Sequence, residues 1–261
     1  MILYFEVHSF TKEIFHGNPA GVCPLDQWID DESMQRIAAE NNLSETAFFV
    51  PQDDHYELRW FTPKVEVDLC GHATLATAYV LFDHLGQEGD TIVFQTKSGE
   101  LTVVKDGEFM IMDFPSRPAD PADIPDHMIA GLGRDTEGVF KARDYLVVLE
   151  SEQEVRKLRP NFSELEFVDC EGVIVTAPGD EVDFVSRFFA PRMGIEEDPV
   201  TGAAHCTLTP YWAERLGKGR LTARQVSDRG GELWCHQAGD RVQIAGHAVL
   251  YVKGFLNWDS E

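Results

Sequence analysis

One short pattern occurs twice in this chain, and each copy opens an apolar helix. The first copy runs from Cys70 to Thr74 and the second from Thr201 to His205, with Asp68 and Asp198 just upstream. Aligning the glycines pairs Cys-Gly-His-Ala-Thr with Thr-Gly-Ala-Ala-His. The apolar residues that follow each copy are typical of a buried helix. The repeat therefore predicts two similar halves, each built around one central helix.

The start of each predicted helix has the properties of an anion site. Gly71 and Gly202 lack a Cβ, so a ligand can approach the backbone closely. The first turn of a helix carries unpaired N–H groups and the positive end of the dipole, which favour a carboxylate or an enolate. A well-capped core helix is the alternative for either copy alone, and the second copy favours a site. The substrate-binding residues expected here are Cys70, Gly71, Ala73, Thr74, Thr201, Gly202 and Ala203.

The composition limits the kinds of partner that the protein is expected to bind and the compartment in which it is expected. The formal net charge of -23 over 261 residues disfavours binding to nucleic acid or to an anionic membrane surface. Five cysteines without a C-x-x-C spacing suit a reducing compartment and argue against a disulfide framework or a structural zinc site. The first residues lack the features of a signal peptide, and no apolar run has transmembrane length. We therefore expect a cytoplasmic protein whose partner is a small molecule.

The order of elements predicts an α+β protein. Many short strands surround the two central helices, and a helix capped by Asp30 is expected through Glu40. A turn is expected at 17–21, with a strand resuming at 22–25. Four prolines between Pro115 and Pro125 mark the expected linker. We predict domains 1–115 and 116–261, each a curved, mostly antiparallel sheet around its helix, with the last strand able to pack back on the first domain.

Two polar residues stand out before the first helix. Glu45 precedes the apolar strand predicted at 46–50, where desolvation is expected to raise its pKa. A solvated loop glutamate is the equally weighted alternative. Asn18 lies in the predicted turn, where it either tolerates an unusual backbone conformation or directs its amide to a ligand. Both are candidate site residues.

Four ordered motifs resemble those of one family. Gly17 to Val22, Leu43 to Phe48, Cys70 to Thr74 and Glu197 to Gly202 look like the corresponding stretches of the phenazine-biosynthesis PhzF-like proteins. The resemblance spans nearly the whole chain. It implies a diaminopimelate-epimerase-like fold of two pseudo-symmetric domains with the active site in the cleft between them. It also implies a homodimer that needs no cofactor.

The same resemblance implies roles for three residues. The acid/base of the phenazine enzyme, an isomerase, falls on Glu45, and its companions fall on His72 and Asp198. One position departs from that enzyme. Ala203 stands where it has a serine that helps to hold the substrate carboxylate. The backbone N–H groups remain here, but a hydroxyl donor is lost, so the phenazine substrate itself does not carry over.

Several reactions can be weighed on these residues. Racemases of this fold place a cysteine at each helix start, but the second position here is Thr201, whose hydroxyl is too weak an acid. A Cys-His hydrolase and a metal site fit the spacings poorly. His72, at a helix start, is expected to stay neutral, and Asp198 either orients His72, binds substrate or caps its helix. A one-base isomerase with Glu45 as acid/base is favoured, with a non-catalytic carboxylate-binding protein as the alternative.

Overall fold

The computed structural model describes residues 1–134 and 136–258. Within them the chain is a mixed α+β protein of strands β1 to β18, helices α1 to α6 and one 3-10 helix, Pro191–Met193. The helices are α1 Asp31–Asn41, α2 Gly71–His84, α3 Asp126–Leu132, α4 Glu152–Lys157, α5 Phe162–Leu165 and α6 Gly202–Leu216. The strands are β1 Ile2–Ser9, β2 Asn18–Pro24, β3 Glu45–Pro51, β4 Tyr56–Phe61, β5 Glu66–Val67, β6 Thr91–Thr96, β7 Gly99–Asp106, β8 Phe109–Pro115, β9 Asp120–Pro121, β10 Gly138–Lys141, β11 Tyr145–Val148, β12 Val173–Pro178, β13 Phe184–Ala190, β14 Ile195–Asp198, β15 Arg220–Gln225, β16 Gly231–Ala238, β17 Arg241–Gly246 and β18 Ala248–Leu256.

The chain divides into two compact units. The first unit is Met1–Asp113 together with the described part of Ala245–Glu261, and the second is Phe114–Ile244. Strand β18 belongs to the first unit, where it pairs antiparallel with β1. Strand β9, inside the proline-rich stretch, pairs antiparallel with β10 of the second unit. The stretch expected as a linker is therefore partly a strand.

The two units repeat one order of strand pairings. In the first, β1–β2 is antiparallel, β2–β3 parallel, β3–β4 and β4–β5 antiparallel, β4–β6 parallel and β6–β7 antiparallel. In the second, β10–β11 through β15–β16 follow the same sequence of directions, with α6 entering where α2 enters in the first. The sheets are mostly antiparallel, as expected for an α+β fold, with two parallel pairs in each unit.

The strand registers make the two units comparable residue by residue. In the first unit, Thr46 pairs with Phe61 and with Gly21; in the second, Val173 pairs with Phe189 and with Tyr145. Thr46 and Val173 are therefore equivalent. The residues just before them, Glu45 and Gly172, are equivalent as well, and so are the helix-opening residues Gly71 and Gly202. Asp198, however, is equivalent to Val67 rather than to Asp68, because Val67 lies opposite Trp60 as Asp198 lies opposite Phe188.

The central helices are buried along most of their length, which their composition requires. Nine residues of α2 are buried, on all sides of the helix, and eight of α6. Helix α6 continues through Pro210, which has no N–H to offer the carbonyl four residues earlier. That carbonyl, of Cys206, accepts the N–H of Arg117 at 2.9 Å instead. The tertiary contact compensates for the missing helical bond and lets the helix run on to Leu216.

Several local predictions are confirmed and some are wrong. Asp30 caps α1 by accepting the N–H of Ser33, and α6 ends at Gly217 with a positive φ of 65°. The turn expected at 17–21 is instead strand from Asn18 onward. Pro19 lies opposite His8 of β1. On the other side of the strand no backbone hydrogen bond is required from this residue, so its lack of an N–H is tolerated. Elements β5, β10, β14, α4 and α5 were not predicted.

None of the helices in the described part of the chain has the length and apolarity to cross a membrane.

Candidate active site

Glu45 opens β3 at the edge where the parallel strand β2 runs beside it. Its Cα lies opposite Ala20 of β2, and five of the six residues that follow it in the strand are buried. The Glu45 side chain is 13% exposed, so it is neither a solvated loop residue nor fully enclosed. A carboxylate in this position is largely removed from water while still reachable by a small ligand.

His72 lies beside Glu45 because both helix start and strand start fall at the same end of the first unit. The Oε2 atom of Glu45 is 3.2 Å from Nε2 of His72, whose side chain is 6% exposed. The pair lacks the alignment of a good hydrogen bond. Catalytic hydrogen bonds are often poorly aligned until substrate binds, so the distance is the informative quantity. It is short enough for a proton to pass between the two groups or through a bound molecule.

His72 is neutral at physiological pH. Burial lowers the pKa of its imidazole to about 3, against a smaller opposing effect of the Pro19 backbone. Since proline has no N–H, that backbone group is the carbonyl, which accepts from the ring. The neutral state expected for His72 is therefore confirmed, although burial is its main cause. A neutral imidazole carries one donor and one acceptor, as a proton relay requires.

Two polar residues of the neighbouring strands hold His72. Asn18 of β2 places its amide nitrogen 3.3 Å from Nδ1 of His72, and the amide is fully buried. Ser9 of β1, which pairs with Asn18, donates its hydroxyl to the His72 carbonyl at 2.7 Å. The backbone conformation between them depends on Gly17, whose φ is 66° and where a Cβ would lie 2.2 Å from the Ser9 carbonyl oxygen. Asn18 therefore contacts the imidazole, as a site residue should.

Cys70 lies on the other side of the imidazole from Glu45. Its Sγ is 3.5 Å from Nδ1 of His72, whereas Glu45 approaches Nε2. These three side chains offer ligand atoms within 4.8 Å of one another. One imidazole nitrogen therefore lies near both the thiol and the carboxylate, and a group beside each ring nitrogen also suits a proton relay.

The second helix start is organised around Asp198. Its Oδ2 accepts a short hydrogen bond from the hydroxyl of Thr201, the N-cap residue of α6. Asp198 itself is therefore not the helix cap. Gln225 of β15 accepts the Thr201 N–H at 2.8 Å and donates to the Asp198 carbonyl at 2.7 Å. Gly202 and Ala203, the other expected substrate-binding residues of this unit, open the helix directly after this loop.

Equivalent residues one turn into each helix fasten the start of that helix. Thr74 donates its hydroxyl to the Cys70 carbonyl at 2.6 Å, and His205 directs Nδ1 to the Thr201 carbonyl at 2.8 Å. Both side chains are fully buried. Thr74, expected to bind substrate, thus has its hydroxyl proton engaged within its own helix. Ala73 is also fully buried, so only its backbone can serve a ligand.

A side chain at the position equivalent to Glu45 in the second unit would have to displace the Phe188 ring. A Cβ on Gly172 would lie 2.2 Å from the Phe188 ring. Likewise the position equivalent to His72 is Ala203. The first unit therefore has the carboxylate and the imidazole, and the second has Asp198 with its hydrogen-bonded loop.

Sequence reasoning did not identify Ser9 or Gln225. Ser9 has no motif around it, and its position in a strand gives no hint that its hydroxyl reaches a helix 63 residues away. Gln225 offered a signal, because a glutamine is an unusual residue among the apolar positions of a strand and is fully buried here. Such a side chain must be hydrogen-bonded, and its partners lie at the second helix start.

The fold and this geometry define a class: a two-unit α+β protein of the epimerase-like kind, with a carboxylate and a neutral imidazole at one central helix start. Comparison with known proteins agrees. The family model described as phenazine biosynthesis-like protein matches residues 7–254, and the chain belongs to that family.

Relatives and solved structures extend the comparison. An uncharacterized isomerase of Pseudomonas aeruginosa is 53% identical over 253 residues, covering 97% of this chain and 98% of that protein. A crystal structure of a phenazine biosynthesis protein PhzF family member from Enterococcus faecalis has a TM-score of 0.95 at 48% identity, covering 97% and 98% of the two chains. A predicted epimerase from Pseudomonas aeruginosa, at 21% identity and a TM-score of 0.76 over 99% and 100%, shares the fold. The protein is an isomerase.

Proposed function

We propose that the protein is a cofactor-free isomerase of a small carboxylate-bearing metabolite, in which Glu45 removes a proton from one carbon and returns it to another. The observation that supports this proposal is the Glu45–His72 pair, 3.2 Å apart and largely buried at a helix start. A single base acts on one face of its substrate. A proton shift along the molecule needs only one face, whereas inversion at a carbon needs two.

The other site residues take supporting roles in this proposal. Neutral His72 relays or donates a proton to the substrate position that gains one. The N–H groups in the first turn of α6 receive the substrate carboxylate, and Asp198 binds a polar substituent such as an amine or a hydroxyl. Asn18 keeps the imidazole of His72 in place. Cys70 packs against the ring and carries no proton in the reaction.

The experiment begins with ligands, since the substrate must be found. Small carboxylates are screened by thermal shift, and those that stabilise the protein are incubated in deuterium oxide and examined by mass spectrometry and NMR. Incorporation of deuterium at carbon identifies a molecule from which the protein removes a proton. A protein that binds carboxylates but exchanges no carbon-bound proton would be the non-catalytic alternative.

The assignment of Glu45 is tested by Glu45→Gln. This change keeps the shape of the side chain and removes its titratable proton, so ligand-induced stabilisation should persist. Exchange should slow by about a hundredfold or more, the usual scale for a lost general acid/base. Glu40→Gln is the matched control, because Glu40 is exposed at the end of α1 and should exchange at the parental rate. Parental exchange by Glu45→Gln would show that another group moves the proton.

A further inference from the structure

The side chain of Gln225 uses both ends of its amide on one loop. Its Oε1 accepts the Thr201 N–H, and its Nε2 donates to the Asp198 carbonyl and, at 3.2 Å, to the Thr201 hydroxyl. The orientation of the amide is fixed by chemistry, because a backbone N–H can only donate and a carbonyl can only accept. Gln225 is fully buried, so water does not compete for these bonds.

This arrangement decides where the Thr201 proton points. A hydroxyl has one proton, and the Thr201 oxygen already receives a hydrogen bond from Gln225. Its own proton is therefore directed to Oδ2 of Asp198, with which it forms a short hydrogen bond. A hydrogen bond donated to a carboxylate favours the ionised form of that carboxylate. The chain of contacts runs from the buried amide through the hydroxyl to the acid.

Among the residues that the structure describes, the first unit has no acid equivalent to Asp198 and no buried amide equivalent to Gln225. The register of the parallel pairs makes Thr96 equivalent to Gln225, since Tyr56 lies opposite Phe94 as Phe184 lies opposite Ala223. Thr96 donates its hydroxyl to Gly99 within its own hairpin. The residue equivalent to Asp198 there is Val67, which has no charge to orient.

We infer that Gln225 is a positioning residue for Asp198: through the Thr201 hydroxyl it keeps the Asp198 carboxyl ionised and fixed in direction at the start of α6. The inference rests on the proposed function for the use made of Asp198. An ionised, oriented Asp198 selects substrates that present a donor, such as an ammonium or hydroxyl group, near the carboxylate.

The test follows the titration of Asp198 directly. Protein labelled with carboxyl-13C aspartate is titrated by NMR, and the Asp198 resonance is identified by its loss in Asp198→Asn. Relative to the parent, Gln225→Leu and Thr201→Val should each move the Asp198 midpoint to higher pH, by about one unit or more. The double variant should move it little further than either single change, because both interrupt one chain of contacts. Thr201→Ser restores the hydroxyl and should restore the parental midpoint.

Ser227→Ala is the control for loosening of the loop. Ser227 donates to the Pro199 carbonyl at 2.8 Å, so it holds the same loop through a different residue. It should leave the Asp198 midpoint unchanged, and an equal shift there would overturn the inference. If Gln225→Leu does not fold, Thr201→Val decides alone, since that site is only half-buried. An unmoved midpoint in Thr201→Val contradicts the inference even in an active isomerase, and a failed isomerase assay leaves the titration result standing.

Discussion

The two helix starts share a backbone design and differ in almost every side chain that could do chemistry. At the first, Cys70, Gly71 and His72 open the helix and His72 lies beside Glu45; at the second, Thr201, Gly202 and Ala203 open the helix and Gly172 is the residue equivalent to Glu45. The shared part is the glycine and the residue one turn later that fastens the helix. The divergent part is the set of titratable groups.

The difference bears on the proposed one-base mechanism. Two equivalent acid/base groups can act on both faces of a carbon, whereas one group confines the reaction to one face. Here the carboxylate and the imidazole belong to the first start, while the second keeps its N–H groups and an oriented aspartate. The first start thus suits proton transfer and the second suits recognition.

The largest effect is expected when the first helix start is given the side chains of the second. His72→Ala, which copies Ala203, should slow deuterium exchange by about a hundredfold, because Glu45 loses its proton partner. Cys70→Thr, which copies Thr201, should cost less than about tenfold, since the one-base scheme does not use a thiol. Exchange rates on a ligand found by the screen measure both. An inactive Cys70→Thr beside an active His72→Ala would replace the carboxylate mechanism with a thiol mechanism.

A second effect concerns pH, because the central helices α2 and α6 carry the buried histidines His72 and His205 at different positions. Burial lowers the pKa of His72 to about 3 and that of His205 to about 4, from an ordinary value of 6.5. Below pH 6.5 the unfolded chain therefore binds protons that the native chain does not. The free energy of unfolding should fall as the pH falls, by about 1.4 kcal/mol per pH unit for each histidine.

Urea unfolding between pH 7 and pH 5 checks this pH dependence. His72→Asn and His205→Asn should each flatten the slope by a similar amount, and the exposed His16→Asn should not. A slope that survives both substitutions would assign the acid sensitivity to other groups.

A third, smaller effect tests whether the second unit has lost the space for a base. Gly172→Ala should destabilise the protein by about 1–3 kcal/mol, the usual range for overpacking, because the new Cβ meets the Phe188 ring. Gly219→Ala is the control, since its Cβ would come no nearer than 3.4 Å to another atom. Urea unfolding measures both. Combining Gly172→Ala with Phe188→Ala should remove most of the Gly172 penalty, and a harmless Gly172→Ala would show that a side chain fits there.

Much of this organisation could be predicted from the sequence because the signals were local. The start and end of α6, the Asp30 cap and the strands at Tyr56–Phe61 and Thr91–Thr96 follow from periodicity and capping residues. Glu45 was selected for its position beside an apolar strand and Asn18 as a turn residue whose amide could reach a ligand, and both lie at His72.

The remainder depends on contacts between distant residues. Ser9 and Gln225 act through hydrogen bonds to residues 63 and 24 positions away, which no local pattern encodes. The sequence shows an aspartate upstream of each helix, Asp68 and Asp198. The residue equivalent to Asp198 is nevertheless Val67, one position before Asp68. Strand registers, which only the folded chain provides, resolve that one-residue difference.

Each unit contains an arginine–glutamate ion pair at an equivalent place, and these pairs bear on which positions can change during evolution. Arg59 forms a two-pronged ion pair with Glu66, and at the equivalent place Arg187 forms one with Glu197. Loss of Glu197 would leave the buried Arg187 guanidinium without its carboxylate, at a cost of about 3–5 kcal/mol. In the first unit, Asp31 also pairs with Arg59 and Lys97 with Glu66, which offsets part of the loss. Single substitutions at the Arg187–Glu197 pair are therefore strongly disfavoured, whereas the helix starts of the two units already differ, with Cys70 against Thr201 and His72 against Ala203. After a duplication, the ion pairs would therefore be retained in both units while the residues at the two helix starts diverged in function.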